Sequence, residues 1–117
     1  MIPKLNLKFG DIVWTNFDPS VGHEFRGNRP AVVIQSSKQL RKSNLVSLLP
    51  ITSNIKNVTS DDISVHPDDQ NRLYSDSVIK VYYVTTFDYT RLESKIGKIS
   101  KEIEKSIKSY LRKHFDI

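Results

Sequence analysis

The chain has 117 residues, 38% of them hydrophobic and 26% charged, which suits one folded domain spanning residues 1–117 and argues against intrinsic disorder. It lacks cysteine, so a disulfide framework and a thiolate metal site are excluded; no apolar run has the length of a membrane span and no signal-peptide core follows the N-terminus, so a soluble cytoplasmic protein is expected. The net charge of +5 is unevenly spread: residues 1–60 carry eight Lys/Arg against three acids, residues 61–97 four against seven, and residues 98–117 six against three. Basic ends of this kind favour a polyanionic partner, although such a charge also serves solubility alone.

The first predicted strand covers residues 9–17, opened by Gly10-Asp11 and rich in β-branched and aromatic residues, with Trp14 and Phe17 expected in the core. Asp18-Pro19-Ser20 ends it with turn chemistry. A polar loop at 21–28 follows, carrying His23, Glu24 and Arg26 between Gly22 and Gly27. Arg29 precedes Pro30, which pushes its backbone into extended geometry and sets its side chain at the mouth of the next strand, 31–35. That strand is apolar on both faces, as in a buried sheet.

Residues 36–44 are basic and polar, with one helical turn expected around 39–42, and residues 45–51 form the next strand, ending at Thr52-Ser53-Asn54. Between 56 and 71 the pairs Asp61-Asp62 and Asp68-Asp69 are read as turns around a short strand. Residues 77–87 form a longer strand region, broken near its centre, and residues 92–99 are ambiguous. Ser100 caps a C-terminal helix in which Ile103, Ile107, Leu111 and Phe115 recur every fourth residue as one apolar stripe, with Tyr110 and His114 on its border. Lys101, Glu104, Lys105, Lys108 and Arg112 are expected in water. Five to seven short strands and one closing helix predict a mainly β fold, a compact antiparallel barrel with a helical cover.

Most catalytic classes are disfavoured by the residues available. His23, His66 and His114 have no partner at metal-ligand spacing, and adjacent carboxylates on an extended segment point to opposite sides, so neither a metal nor a cofactor is expected. There is no nucleophile elbow and no Walker-type loop. That leaves metal-free chemistry on a phosphodiester, which RNA offers because its 2′-hydroxyl can attack the neighbouring phosphorus. That chemistry needs a proton acceptor, a proton donor and cations at the phosphate, each proton transfer contributing about 10² to 10⁴ in rate. His23, Arg29 and Thr52 supply a titratable group, a permanent cation and a hydroxyl donor. Plainer readings stand beside this one: an exposed His23, a surface pair between Glu24 and Arg26 or Arg29, and a Thr52 that only satisfies a strand-end backbone group.

The ordered motifs Gly10-Asp11-Ile12-Val13, Asp18-Pro19, Gly22-His23-Glu24, Gly27-Asn28-Arg29-Pro30-Ala31-Val32-Val33-Ile34, Pro50-Ile51-Thr52-Ser53, Asp76-Ser77-Val78-Ile79, Thr86-Phe87-Asp88 and Arg91-Leu92-Glu93-Ser94-Lys95-Ile96-Gly97-Lys98-Ile99 resemble the MazF/PemK-type toxin endoribonucleases over nearly the whole chain. The resemblance implies an SH3-like antiparallel β-barrel with a C-terminal helix, a homodimer, and metal-independent cleavage of single-stranded RNA to a 2′,3′-cyclic phosphate and a 5′-hydroxyl. It also implies a cognate antitoxin whose acidic, flexible segment occupies the RNA groove. Arg29 and Thr52 fall on the family's scissile-phosphate positions, and His23 where some members carry a catalytic histidine. Glu24, Arg26, Ser53, Lys80 and Tyr82 are the candidate substrate contacts. Some relatives have an arginine and an acid where this chain has Lys80 and Tyr82, so that strand offers no carboxylate base. Two alternatives share the fold: a non-catalytic toxin that binds DNA gyrase, and an RNA-binding barrel without chemistry.

Overall fold

The computed structural model describes residues 6–19, 21–22 and 25–117. Seven strands follow the chain as β1 (Asp11–Asn16), β2 (Asn28–Val33), β3 (Leu45–Thr52), β4 (Ile63–Val65), β5 (Ser77–Ile79), β6 (Thr85–Asp88) and β7 (Leu92–Lys98). A single helical turn, α1 (Ser37–Leu40), precedes β3, and α2 (Lys101–Phe115) closes the chain. All pairings are antiparallel, in the order β4-β5-β3-β2-β1-β7, with β6 also on β3. The sheet curls as a barrel does but stays open between its two end strands.

Strand β3 is the pivot, because its length lets two partners share one edge. Val46 pairs with Phe87 of β6, and Ile51 with Ile79 of β5. The expected break in the 77–87 region therefore has a cause: between the two ladders the chain makes a 3-10 turn at Val81–Tyr83, which buries Val81, while the Lys80 amide donates to the Pro50 carbonyl at 3.0 Å. The ambiguous stretch after residue 91 is strand β7, paired with β1. The helical turn at α1 begins two residues earlier than expected, capped by Ser36, whose side chain accepts from the Gln39 amide. Likewise β2 starts at Asn28 rather than Ala31, so Arg29 stands within the strand and not before it.

Successive residues of a strand face opposite sides, and here both sides are apolar. Val13, Ala31, Val33, Val46 and Leu48 fill one core with Phe17, Leu40 and Leu92. Ile12, Val32, Leu49, Ile51 and Ile79 fill the other, against which α2 packs Ile107. Ile107 is fully buried, worth about 1.5–3 kcal/mol relative to exposure.

Helix α2 follows its sequence signals: the Ser100 hydroxyl accepts from the Ile103 amide, and Asp116 ends the helix in the left-handed region. Two expectations fail at its margins. Phe115 is half exposed, its ring edge-on to His114 at 4.8 Å. Glu104 is largely covered rather than hydrated, and sits between Lys101 at 3.5 Å and Lys108 at 3.1 Å. Among the described residues, no helix is long and apolar enough to cross a membrane.

Where the end strands do not pair, the 66–74 loop bridges the gap. The Lys98 amide of β7 donates to the Gln70 carbonyl at 3.0 Å. Gly97 permits this approach, since a Cβ there would lie 2.2 Å from the Gln70 carbonyl oxygen.

Candidate active site

Arg29 is placed by β1 and β2, in which it pairs with Thr15. The connecting loop is tied at its base: the Phe17 amide donates to the Gly27 carbonyl at 2.9 Å, and the Gly27 amide to Asp18 Oδ1 at 3.0 Å. Gly27 has φ 68°, a conformation that a side chain would strain, and this turns the chain back into β2. The Arg29 guanidinium donates from Nε and Nη2 to the Arg26 carbonyl, at 3.2 and 3.0 Å, and lies 4.7 Å over the Phe25 ring. No carboxylate pairs with it among the described residues. Burial lowers its pKa from the ordinary arginine value, yet a guanidinium keeps its proton throughout the physiological range. Among the described residues Nη1 has no hydrogen-bond partner.

Thr52 reaches the same place from β3. The β2–β3 register pairs Ala31 with Pro50 and Val32 with Leu49; carried two residues further it would set Arg29 across from Thr52. The ladder stops short of that pair, because Pro30, whose backbone edge faces β3, has no N–H to donate to the Ile51 carbonyl. Beyond it the strands part, and a cleft of about 870 Å³ opens with both Arg29 and Thr52 in its wall. Thr52 is nearly buried, and its Oγ1 accepts from the Asn54 amide at 3.1 Å. The plain strand-end role is thus real, and because it uses the oxygen as acceptor, the hydroxyl proton remains to be donated.

Ser53 and Asn54 continue the wall, Trp14 and Pro30 contribute from β1 and β2, and residues 72–75 close another side. Among the described residues the lining holds two guanidinium groups, Arg29 and Arg72, and no carboxylate. Such a cleft attracts a polyanion.

The structure therefore brings together Arg29, Thr52 and Ser53 of the residues singled out from sequence. Arg26 stands outside the cleft and acts through its carbonyl on Arg29. Lys80 and Tyr82 are directed elsewhere: Lys80 Nζ lies 2.6 Å from Asp62 Oδ2 in a mostly buried pair, and the Tyr82 ring packs edge-on against His114 of α2 at 5.1 Å. His23 and Glu24 lie outside the described residues. Trp14, expected in the core, is half-buried and lines the cleft instead. Sequence reasoning also missed Arg72 and Tyr74. The available signal was an arginine and an aromatic two residues apart in a polar stretch after the Asp68 turn.

Residues 8–115 match the profile of the PemK-like, MazF-like toxin of type II toxin-antitoxin systems. The chain belongs to this family. Among curated MazF proteins, the endoribonuclease toxin MazF of Escherichia coli K12 is 34% identical over 56 residues, 48% of this chain and 50% of that protein. The chain thus spans about half the length of the curated relatives it matches. Among solved structures, MazF from Deinococcus radiodurans superposes with a TM-score of 0.82 at 22% identity, covering 95% of this chain and 97% of that one. A MazE-MazF structure from the same organism gives 0.73 at 18% identity, over 95% of this chain and 96% of that one. The structural likeness establishes a MazF-type fold.

Proposed function

We propose that this MazF-family toxin is an endoribonuclease that cuts single-stranded RNA, mRNA in particular, at a short sequence. The observation that carries the reading is the convergence of Arg29 and Thr52 on one cleft free of carboxylates among its described lining residues. In the proposed step the 2′-oxygen forms a bond to phosphorus and gives up its proton to a base, while the bond from phosphorus to the 5′-oxygen breaks and that oxygen is protonated. The products are a 2′,3′-cyclic phosphate and a 5′-hydroxyl. Arg29 supplies a fixed cation to the charge gathering on the phosphoryl oxygens, and the Thr52 hydroxyl donates one hydrogen bond to them. His23 is assigned proton transfer on sequence resemblance, since an imidazole exchanges protons near neutrality and a guanidinium does not. The nucleophile belongs to the substrate, so the step calls for no metal.

The chain is further proposed to act in the cytoplasm as a homodimer, held inactive by an antitoxin. Support for the antitoxin comes from the MazE-MazF structure of the Deinococcus relative, and from a basic first half that attracts RNA and an acidic peptide alike.

An RNA oligonucleotide incubated with the purified protein and EDTA tests the chemistry. The expected fragments end in cyclic phosphate and begin with a 5′-hydroxyl, a single 2′-deoxy sugar at the cut site blocks them, and Thr52→Ala slows the reaction about 10- to 100-fold. Intact RNA alongside inhibited gyrase supercoiling would refute the nuclease reading in favour of a binding toxin of the same fold.

A further inference from the structure

One side of the cleft takes no part in the chemistry above. Residues 72–75 line it as a loop held rigidly from behind. Asn71 is buried, accepts from the Asp68 and Leu73 amides at 3.1 and 3.0 Å, and donates to the His66 carbonyl at 2.7 Å. Asp68 accepts in turn from the Gln70 and Asn71 amides, at 2.8 and 2.7 Å. This network sustains Arg72 at φ 56°, a left-handed conformation that few residues other than glycine adopt unaided.

What the loop displays is unusual for side chains in a cleft. Tyr74 is fully exposed, and the Arg72 guanidinium has no carboxylate or aromatic partner among the described residues. Arg91 shows the contrast: it donates to the Asp18 carbonyl at 2.6 Å and lies 4.4 Å over the Phe87 ring, so its groups are spent within the fold. A free cation beside an open aromatic face matches the two repeating features of single-stranded nucleic acid, a phosphate and an unpaired base. An acidic peptide offers the charge but no base to stack.

We propose that Arg72 and Tyr74 form the second half of the RNA site, Arg72 pairing with a phosphate next to the one held at Arg29, and Tyr74 stacking on a base beside the cut. The loop thereby contributes to which sequence is cleaved. This rests on the endoribonuclease reading, and the two are separable by experiment.

Binding is measured with an RNA carrying a 2′-deoxy sugar at the cut site, and specificity by mapping the 5′ ends of cleaved RNA. Tyr74→Ala is expected to weaken binding about 10-fold and to broaden the cleaved sequences, while Tyr74→Phe, which keeps the ring, preserves both. Arg72→Ala is expected to reduce the slope of log affinity against log salt by about 0.7, a change that Tyr74→Ala does not cause. Wild-type cleavage accompanied by unchanged affinity, salt slope and cut sites in both alanine variants would overturn the proposal. So would losses confined to a synthetic Asp/Glu-rich peptide with RNA binding intact. If the wild-type protein bound the RNA through Tyr74 but never cut it, the second half-site would stand and the endoribonuclease reading would fall.

Discussion

The cleft and the flank beneath α2 both carry basic and aromatic residues, and the fold uses them in opposite ways. On the flank, Lys80 is matched by Asp62, Glu104 sits between Lys101 and Lys108, and Tyr82 packs on His114. In the cleft, Arg29 and Arg72 meet no carboxylate among the described lining residues, and Tyr74 is fully exposed. Residue type is much the same in the two places. What separates a structural charge from one available to a ligand is whether the fold has already provided its counter-charge.

The largest expected effect lies in the cleft. Arg29→Ala should lower the rate of RNA cleavage about 10²- to 10³-fold without lowering the melting temperature, because it removes a preorganised cation and leaves no buried partner unpaired. Cleavage by this variant at the wild-type rate would erase the distinction between the two regions.

Gly97→Ala joins stability to the site. Its new Cβ would meet backbone at 2.2 Å, so β7 or the 66–74 loop must shift, at a cost of about 3 kcal/mol in denaturant unfolding. The shift should also alter cleavage specificity, since the same loop presents Arg72 and Tyr74.

On the flank the sign reverses. Lys80→Met should cost about 2 kcal/mol of stability by leaving Asp62 without its counter-charge, less than a fully buried pair would lose because Lys80 keeps some solvent contact. Cleavage per folded molecule should be unchanged; a lowered kcat/KM with normal stability would return Lys80 to the substrate site. Ser100→Ala should cost about 1 kcal/mol through loss of the α2 cap, again with no change in kcat.

Glu104 gives the smallest effect and a pH signature. Burial alone would raise its pKa, but the hydrogen bond to Lys108 and the charges of Lys101 and Lys108 together hold it below the ordinary carboxylate value. The carboxylate therefore contributes stability at neutral pH that is lost as the pH falls through its depressed folded-state pKa. The two lysines are themselves exposed, so solvent screening keeps the contribution small: Glu104→Gln should cost about 0.3–0.5 kcal/mol at pH 7, and the difference from wild type should vanish in acid.

Much of this architecture was legible from the sequence, wherever local chemistry suffices. The unbroken apolar run of β2 announced a strand buried on both faces, and Ser100 with the four-residue spacing of Ile103, Ile107 and Leu111 announced α2. Asp62 and Asp68 form turns as their pairs suggested, each accepting from backbone amides. Less legible was the direction of single side chains. Trp14 has the composition of a core residue, and nothing local reveals that Ser94 of β7 and Pro30 of β2, its register partners, leave it at the edge of an opening.

For the site, the one-dimensional order of residues determined which groups were available: a guanidinium held extended before a proline, a hydroxyl at a strand end, and no cysteine. It also carried the family, because an ordered series of motifs survives even where no single motif is specific. Only tertiary structure decided which groups meet. Arg29 and Thr52 converge because two strands share a register that Pro30 prevents from closing, Lys80 is withdrawn by an aspartate 18 residues away, and Arg72 and Tyr74 are delivered by a loop pinned to Gly97. Each depends on contacts between distant segments, whose energy is set by proximity in space and leaves no mark on the local chain.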